Sequence, residues 1–496
     1  MSLLGIDIGT SGCKSLIFSL TGQVLAKAYR EYEIISEKEG HAELDSFDVW
    51  RKVKETIKEA VSQVCDDPVT ALSVSSLGEA VVPVARDRTI LGNSILGIDQ
   101  RGGEYFEELL KSVSKEDIYR INGNIPGVFY SMPKIAWLKQ HMPDVYLKTD
   151  YFLLWADAIC FMLGGKPVST YSLASRTLLF DINRCCWSVK LMHTMDLNTD
   201  KFAPLVPSGI ILGTIDEETG RELHLTPDVV IISGGHDQCC AALGSGIIGD
   251  HKQAMYGMGT FICAVPTFSR KPDYAFLFKN KLNIEHHVVA NLFVSFIYNL
   301  SGGALVKWFR KTFTGFDEEG LNVSQDIYDK LFNLVPDSIN NIIVIPRFGP
   351  TGPPDFFQES AGTISGLSLH HGKGDILRAI LEGITFYFKD FFQRLKESQY
   401  DIEILVANGG GASSDKWLQI TADILEKPLI TNTVTESGAL GAALLAGIGS
   451  GTFPSVESGI TSMVQKEKEI YPRQVNTRIY NRKFERYKKI YAFLRE

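Results

Sequence analysis

The chain reads as an α/β protein built in two halves, and three observations predict it. Short apolar runs that end in glycine alternate with amphipathic stretches of helical period. The opening pattern Leu3-Leu4-Gly5-Ile6-Asp7-Ile8-Gly9-Thr10-Ser11-Gly12 has a counterpart at Ala254-Met255-Tyr256-Gly257-Met258-Gly259-Thr260. The length, 496 residues, exceeds what a single hydrophobic core organises. The expected division is 1–246 and 247–496, with no low-complexity linker between the halves.

Apolar residues at 3, 4, 6 and 8, then Leu16-Ile17-Phe18 and, past a Thr21-Gly22 turn, Val24-Leu25-Ala26 predict a three-stranded meander. Asp45 or Ser46 can cap a helix running to Val64, with Val49, Val53, Ile57, Ala60 and Val61 on one face. A strand over 71–75 follows and ends at Leu77-Gly78-Glu79. The run Val229-Val230-Ile231-Ile232 stops at Gly234-Gly235 and delivers His236-Asp237-Gln238. Phe261 to Val265 completes the second hairpin. Ile402 to Asn408 is a buried strand feeding Gly409-Gly410-Gly411, then a helix from Ser414 to Leu425. Gly438 and Gly441 lie in a small-residue helix over 439–446 that can pack closely on a neighbour. Residues 480–496 form a basic-aromatic helix expected to dock on the second domain.

A hydrophobic fraction of 45% and a charged fraction of 22% are those of a soluble enzyme. The net charge of -8 argues against nucleic acid as the main partner. No apolar run reaches the roughly 20 residues that span a bilayer, and no signal-peptide pattern precedes the first strand, so no membrane partner and a cytoplasmic location are expected. A homodimer stays open. The eight cysteines are scattered or adjacent (Cys185-Cys186, Cys239-Cys240) without a C-x-x-C clip, which predicts buried reduced thiols. The histidines, His236, His286 and His287 among them, show no metal-ligand spacing.

A strand that stops at two glycines hands its next side chain to a cleft, which places Asp237 as a candidate general base. A cap on the helix that follows is the alternative, and both roles can hold together. Gly9-Thr10-Ser11-Gly12 can approach a polyphosphate, with Lys14 adding a charge, or can be a plain hairpin turn. Gly259-Thr260 offers a matching turn, so one nucleotide could be held from both sides. Asp7 is placed to hold a divalent cation through water, or to cap its own turn. Gly409-Gly410-Gly411 lacks the third glycine and the ribose-binding acid of a dinucleotide fingerprint, which leaves a mononucleotide contact. Glu79, Asp99 and Arg101, on loops after strand-like runs, suit the hydroxyls of a polyol or are merely solvated.

Two long patterns, Phe129 to His141 and Gly362-Thr363-Ile364-Ser365-Gly366-Leu367 with Asp375 to Glu382, resemble those of the FGGY carbohydrate kinases. Shorter stretches agree: Ala174-Ser175-Arg176-Thr177, Ser301-Gly302-Gly303-Ala304 and Gly409 to Trp417. The resemblance covers nearly the whole chain. It implies a two-domain ribonuclease H-like/actin-like ATPase fold with ATP, Mg²⁺ and sugar in the interdomain cleft. By position, Asp237 would accept the proton of a sugar hydroxyl and Gln238 would touch the substrate. Thr10, Ser11, Lys14 and Gly259-Thr260 would face the phosphates, Asp7 the hydrated metal, and Gly303, Gly410, Gly411 and Ser414 the rest of the nucleotide.

The acceptor is less sharply implied. Xylulokinases carry Gly-Gln-Met-His and glycerol kinases Asn-Gln-Arg-Glu where this chain has Ser76-Leu77-Gly78-Glu79. The family's Trp-x-Asp is here Gly97-Ile98-Asp99. Gly78 and Gly97 are thus expected to leave room for a sugar larger than glycerol. The reading that follows is transfer of the γ-phosphoryl group to a primary hydroxyl of a ketopentose or polyol, xylulose first. Kinases for glycerol or gluconate, and a sugar-responsive regulator without turnover, are the alternatives.

Overall fold

The computed structural model describes residues 1–64, 66–249, 252–315, 325–349, 351–352, 355, 359–397 and 400–494. Its first sheet has six strands in the order Ile211–Thr214, Val230–His236, Val69–Ser76, Ser2–Ile8, Gly12–Ser19, Val24–Glu31. Ser2–Ile8 runs antiparallel to Gly12–Ser19 and parallel to Val69–Ser76, a register that sets Lys14 and Ser75 on either side of Asp7. The parallel strands at the centre are buried on both faces, which is why they carry adjacent apolar pairs, Ala71-Leu72 and Ile231-Ile232, rather than strict alternation.

The second sheet repeats the plan. Gln253–Met258 runs antiparallel to Ile262–Phe268 and parallel to Ile404–Asn408, followed outward by Leu429–Asn432 and Lys466–Ile470. Each sheet therefore begins with a hairpin whose first strand takes a parallel neighbour on its other side.

Helix ends follow local chemistry. The Asp45 carboxylate accepts the N–H groups of Phe47 and Asp48 and starts the helix Ser46–Ser62. The Ser414 hydroxyl accepts the Trp417 N–H and starts Asp415–Leu425, which ends at Glu426 in the left-handed region. The last helix, Gln474–Phe493, begins earlier than the sequence suggests and packs on Asp415–Leu425 and on the strand Ile343–Ile345.

The helix Ser437–Gly449 is the main contact between the two halves. It packs across the first sheet, on Ser2–Ile8 and Val69–Ser76, and along the helix Asp237–Gly244. A Cβ on Gly441 would stand 1.8 Å from the Cys240 carbonyl oxygen, and one on Gly244 would stand 2.0 Å from that of Ser437. Only residues without a side chain let these backbones touch. The shared apolar core around them unites Leu3, Leu16 and Phe18 with Met255, Val406, Ala439 and Leu444.

Cys13, Cys160, Cys239, Cys240 and Cys263 are buried and free, as expected, and Cys65 lies outside the described residues. Cys186 corrects the expectation: it is exposed, on a short ribbon that pairs Phe180–Asp181 with Cys186–Trp187. Among the described residues no helix is long and apolar enough to cross a membrane.

Candidate active site

Asp237 opens the helix Asp237–Gly244 directly after the strand Val230–His236 ends, so its carboxyl projects beyond the end of the first sheet. It lines a cleft of about 550 Å³ that also takes in Asp7, Lys14, Gln238, Gly410 and Glu436. Roughly a quarter of the Asp237 side chain (28%) stays open to it. Burial, then the nearby charges of Asp7 and Glu79, push the Asp237 pKa up to about 7. That is the range in which a carboxyl exchanges protons near neutral pH.

Across the cleft floor runs a chain of charges. The Ser75 hydroxyl donates to Asp7 Oδ1 at 2.7 Å, and Lys14 Nζ lies 3.3 Å from Asp7 Oδ2 and 2.5 Å from Glu436 Oε2. Glu436 also holds Lys27. Burial works against the Lys14 ammonium, yet Asp7 and Glu436 together hold its pKa above the usual lysine range. Burial likewise opposes the Glu436 carboxylate, and Lys14 and Lys27 outweigh it, so its pKa falls below the ordinary value. Gly438 follows at the head of its helix, where a Cβ would stand 3.0 Å from the Asp7 carboxylate oxygens.

Asp7, Lys14, Asp237, Gln238 and Gly410 are brought onto one cleft. Thr10 and Ser11 stand exposed on the first hairpin tip, and Thr260 on the second. That second tip is tied down: Gly303 N–H donates to the Gly259 carbonyl at 3.0 Å and Ala304 N–H to the Thr260 carbonyl at 2.7 Å. Gly411 is buried beneath Trp417 and Met258, and Ser414 is occupied as a helix cap.

The residues expected on the acceptor side form two clusters. Glu79, in the left-handed region (φ 62°), is buried against Arg176, whose Nε lies 2.6 Å from Glu79 Oε1. The same guanidinium reaches Glu285 Oε1 at 2.5 Å from the other side. Burial raises the Glu79 pKa and lifts that of Glu285 to about 7, against the pull of Arg176. Asp99 and Arg101 are bound to one another instead. The Arg101 Nε is 3.0 Å from both Asp99 oxygens, the Asp99 carboxylate also accepts the Ala42 N–H, and Arg101 pairs with Glu43 and lies over the Trp137 ring.

The room expected at Gly78 and Gly97 is not there. A Cβ on Gly78 would stand 2.8 Å from Arg176 Cγ and 3.2 Å from His236 Cδ2, and one on Gly97 would stand 3.0 Å from the Phe129 carbonyl oxygen. Neighbouring side chains have taken up the space that these glycines leave.

Several cleft residues escape the sequence reading. Glu436 and Ser437 line the cleft, and Asn408 bridges Ser245 and Ser437 with its amide at 3.1 and 3.0 Å. Arg176 appears in the sequence only as part of a family-like stretch, and His236 only as a histidine without ligand spacing. The acid directly before the small-residue helix was the available signal for Glu436.

Two family models match the chain: the N-terminal domain of the FGGY family of carbohydrate kinases over residues 2–244, and its C-terminal domain over 283–450. The chain belongs to the FGGY family of carbohydrate kinases. It is 28% identical to a xylulose kinase of Bacillus subtilis, across 100% of this chain and 97% of that protein. It is also 28% identical to a glycerol kinase of Janthinobacterium, across 95% and 94%. The crystal structure of a ligand-bound xylulose kinase from Lactobacillus acidophilus superposes with a TM-score of 0.88 at 23% identity, covering 99% and 98% of the two chains. The fold is thus the two-domain, actin-like one of these kinases, and the protein is an ATP-dependent sugar kinase.

Proposed function

We propose that this FGGY kinase phosphorylates a primary hydroxyl of a ketopentose or closely related polyol, with xylulose the leading candidate and Asp237 as the base. One observation carries the reading: the Asp237 carboxyl faces the same cleft as Asp7 and Lys14, with its pKa at about 7. Phosphoryl transfer needs chiefly positioning and neutralisation of charge, together with an acceptor for the hydroxyl proton. Lys14 supplies a cation on the cleft floor, and the hairpin tips at Thr10-Ser11 and Gly259-Thr260 offer backbone and hydroxyl donors to the phosphates. The full-length match to the Bacillus xylulose kinase favours a ketopentose.

Mg²⁺ fits this donor set. Asp7 presents a hard carboxylate to the cleft, and among the described residues no group of three or more His, Cys, Asp or Glu could cage a metal. An ion held by one carboxylate, water and phosphate oxygens is how Mg²⁺ usually binds. Bound there, it would neutralise the charge of the triphosphate.

The test is ADP release over a panel of ketopentoses, pentitols, glycerol and gluconate. A ketopentose is expected to give the highest kcat/KM. Glycerol or gluconate exceeding every ketopentose by about tenfold, a margin of about 1.4 kcal/mol in transition-state binding, would overturn the substrate reading. ADP release that no compound stimulates would overturn the enzyme.

A further inference from the structure

We propose that His236 is a positioning residue that fixes which oxygen of Asp237 receives the sugar's proton, a role that rests on Asp237 being the base. His236 Nε2 lies 3.3 Å from Asp237 Oδ1. The ring has little freedom to leave. It stands edge-on to Phe296, with centroids 5.2 Å apart and planes at 84°. Its backbone N–H donates to the Ser172 hydroxyl at 3.2 Å, and its Cδ2 fills the space beside Gly78.

Burial and then the Arg176 guanidinium push the His236 pKa well below the usual imidazole value, so the ring is neutral and carries one proton. Two lone pairs facing each other at this distance would repel. The proton therefore sits on Nε2, on the side of the carboxylate, and Nδ1, buried without a partner among the described residues, is the bare acceptor. The 3.3 Å contact is not a formed hydrogen bond in this structure; once the N–H turns onto Oδ1, Oδ2 is left for the hydroxyl. Contacts of this kind are often long in the empty enzyme and tighten around substrate.

The groups facing Asp237 explain why such a donor matters. Asp7 and Glu79 disfavour its anion, the Gln238 amide favours it, and Cys239, Cys240 and Cys263 are thiols whose pKa values burial raises. An imidazole N–H turned onto the carboxylate would add a second group that favours the charged form.

The experiment compares kcat, sugar KM and pH profile for wild type, His236→Phe, His236→Gln, His236→Asn and Asp237→Asn, using whichever panel sugar turns over fastest. His236→Phe keeps the ring volume and removes the donor. It should lower kcat about tenfold, leave the sugar KM within about twofold, and move the acid limb of kcat up by about one pH unit. His236→Gln, whose amide reaches the place of Nε2, should restore both, and His236→Asn, one bond shorter, should not. Superimposable profiles for wild type and His236→Phe would overturn the proposal. So would a His236→Gln profile as displaced as that of His236→Asn, a comparison that stands even where the Phe variant fails to fold. Wild-type turnover by Asp237→Asn would dismiss the base itself, whereas an inactive Asp237→Asn beside an unshifted His236→Phe dismisses only the histidine.

Discussion

Lys14, in the first hairpin, is gripped by Glu436, at the head of the helix Ser437–Gly449, at 2.5 Å. The same ammonium lies 3.3 Å from Asp7, so one cation serves two carboxylates on the cleft floor. Lys14→Met would leave those carboxylates facing each other across the proposed site of the triphosphate. The KM for ATP should rise at least about tenfold, with Lys14→Arg recovering part of the loss. An unchanged KM in the Met variant would remove Lys14 from nucleotide binding.

Asp237→Asn keeps shape and removes the proton acceptor. Turnover should fall by about 10²–10⁴-fold while nucleotide affinity, read with a fluorescent analogue, stays within about threefold. In the wild type the base works only when ionised. With its pKa at about 7, kcat/KM for the sugar should therefore fall as pH drops below about 7. A rate that is flat down to pH of about 5 would contradict this assignment.

Asp157 provides a stability test away from the cleft. It is buried, accepts the Thr170 N–H through one oxygen, and leaves the other without a partner among the described residues. Burial pushes its pKa up to about 7 from the model-peptide 3.8. An acid whose folded pKa is raised holds its proton longer when folded, so its contribution to stability declines as pH rises from about 4 to about 7. Asp157→Asn resembles the protonated form at every pH. The variant should gain on the wild type across that interval, by up to about 1.4 kcal/mol per pH unit at the steepest point. Denaturation curves at pH of about 5 and 8 that keep the two proteins equally spaced would refute it.

Gly441→Ala probes the helix pair. Its new methyl would stand 1.8 Å from the Cys240 carbonyl oxygen, a backbone atom that cannot swing aside. Overpacking of this kind costs about 1–3 kcal/mol, and the helix it displaces carries Cys240 next to the Asp237 turn. Both melting temperature and turnover should drop. A variant with unchanged melting temperature would show that the helices can part without cost.

Much of this architecture is legible in the chain itself. Period-2 apolar runs closed by glycine mark both hairpins, and the oxygen-bearing side chains of Asp45 and Ser414 mark two helix starts. Asp237 is legible for the same local reason. Glu436 is not, because its partner Lys14 is 422 residues away and no local pattern encodes a contact at that separation. The vacancy read at Gly78 fails for a related reason: an absent side chain does not say which neighbour moves in, and here Arg176 and His236 do. Ser414 and Gly411 show the converse, since capping and close packing select the same residue types as a nucleotide does.

The helix Ser437–Gly449 also bears on how the polypeptide is made. During synthesis the strands Ser2–Ile8 and Val69–Ser76 leave the ribosome with an apolar face whose cover has yet to be translated. A fragment ending at residue 246 would carry that face bare, prone to clump rather than to mature alone. The two catalytic halves are thus inseparable by a single cut, even though each brings its own sheet.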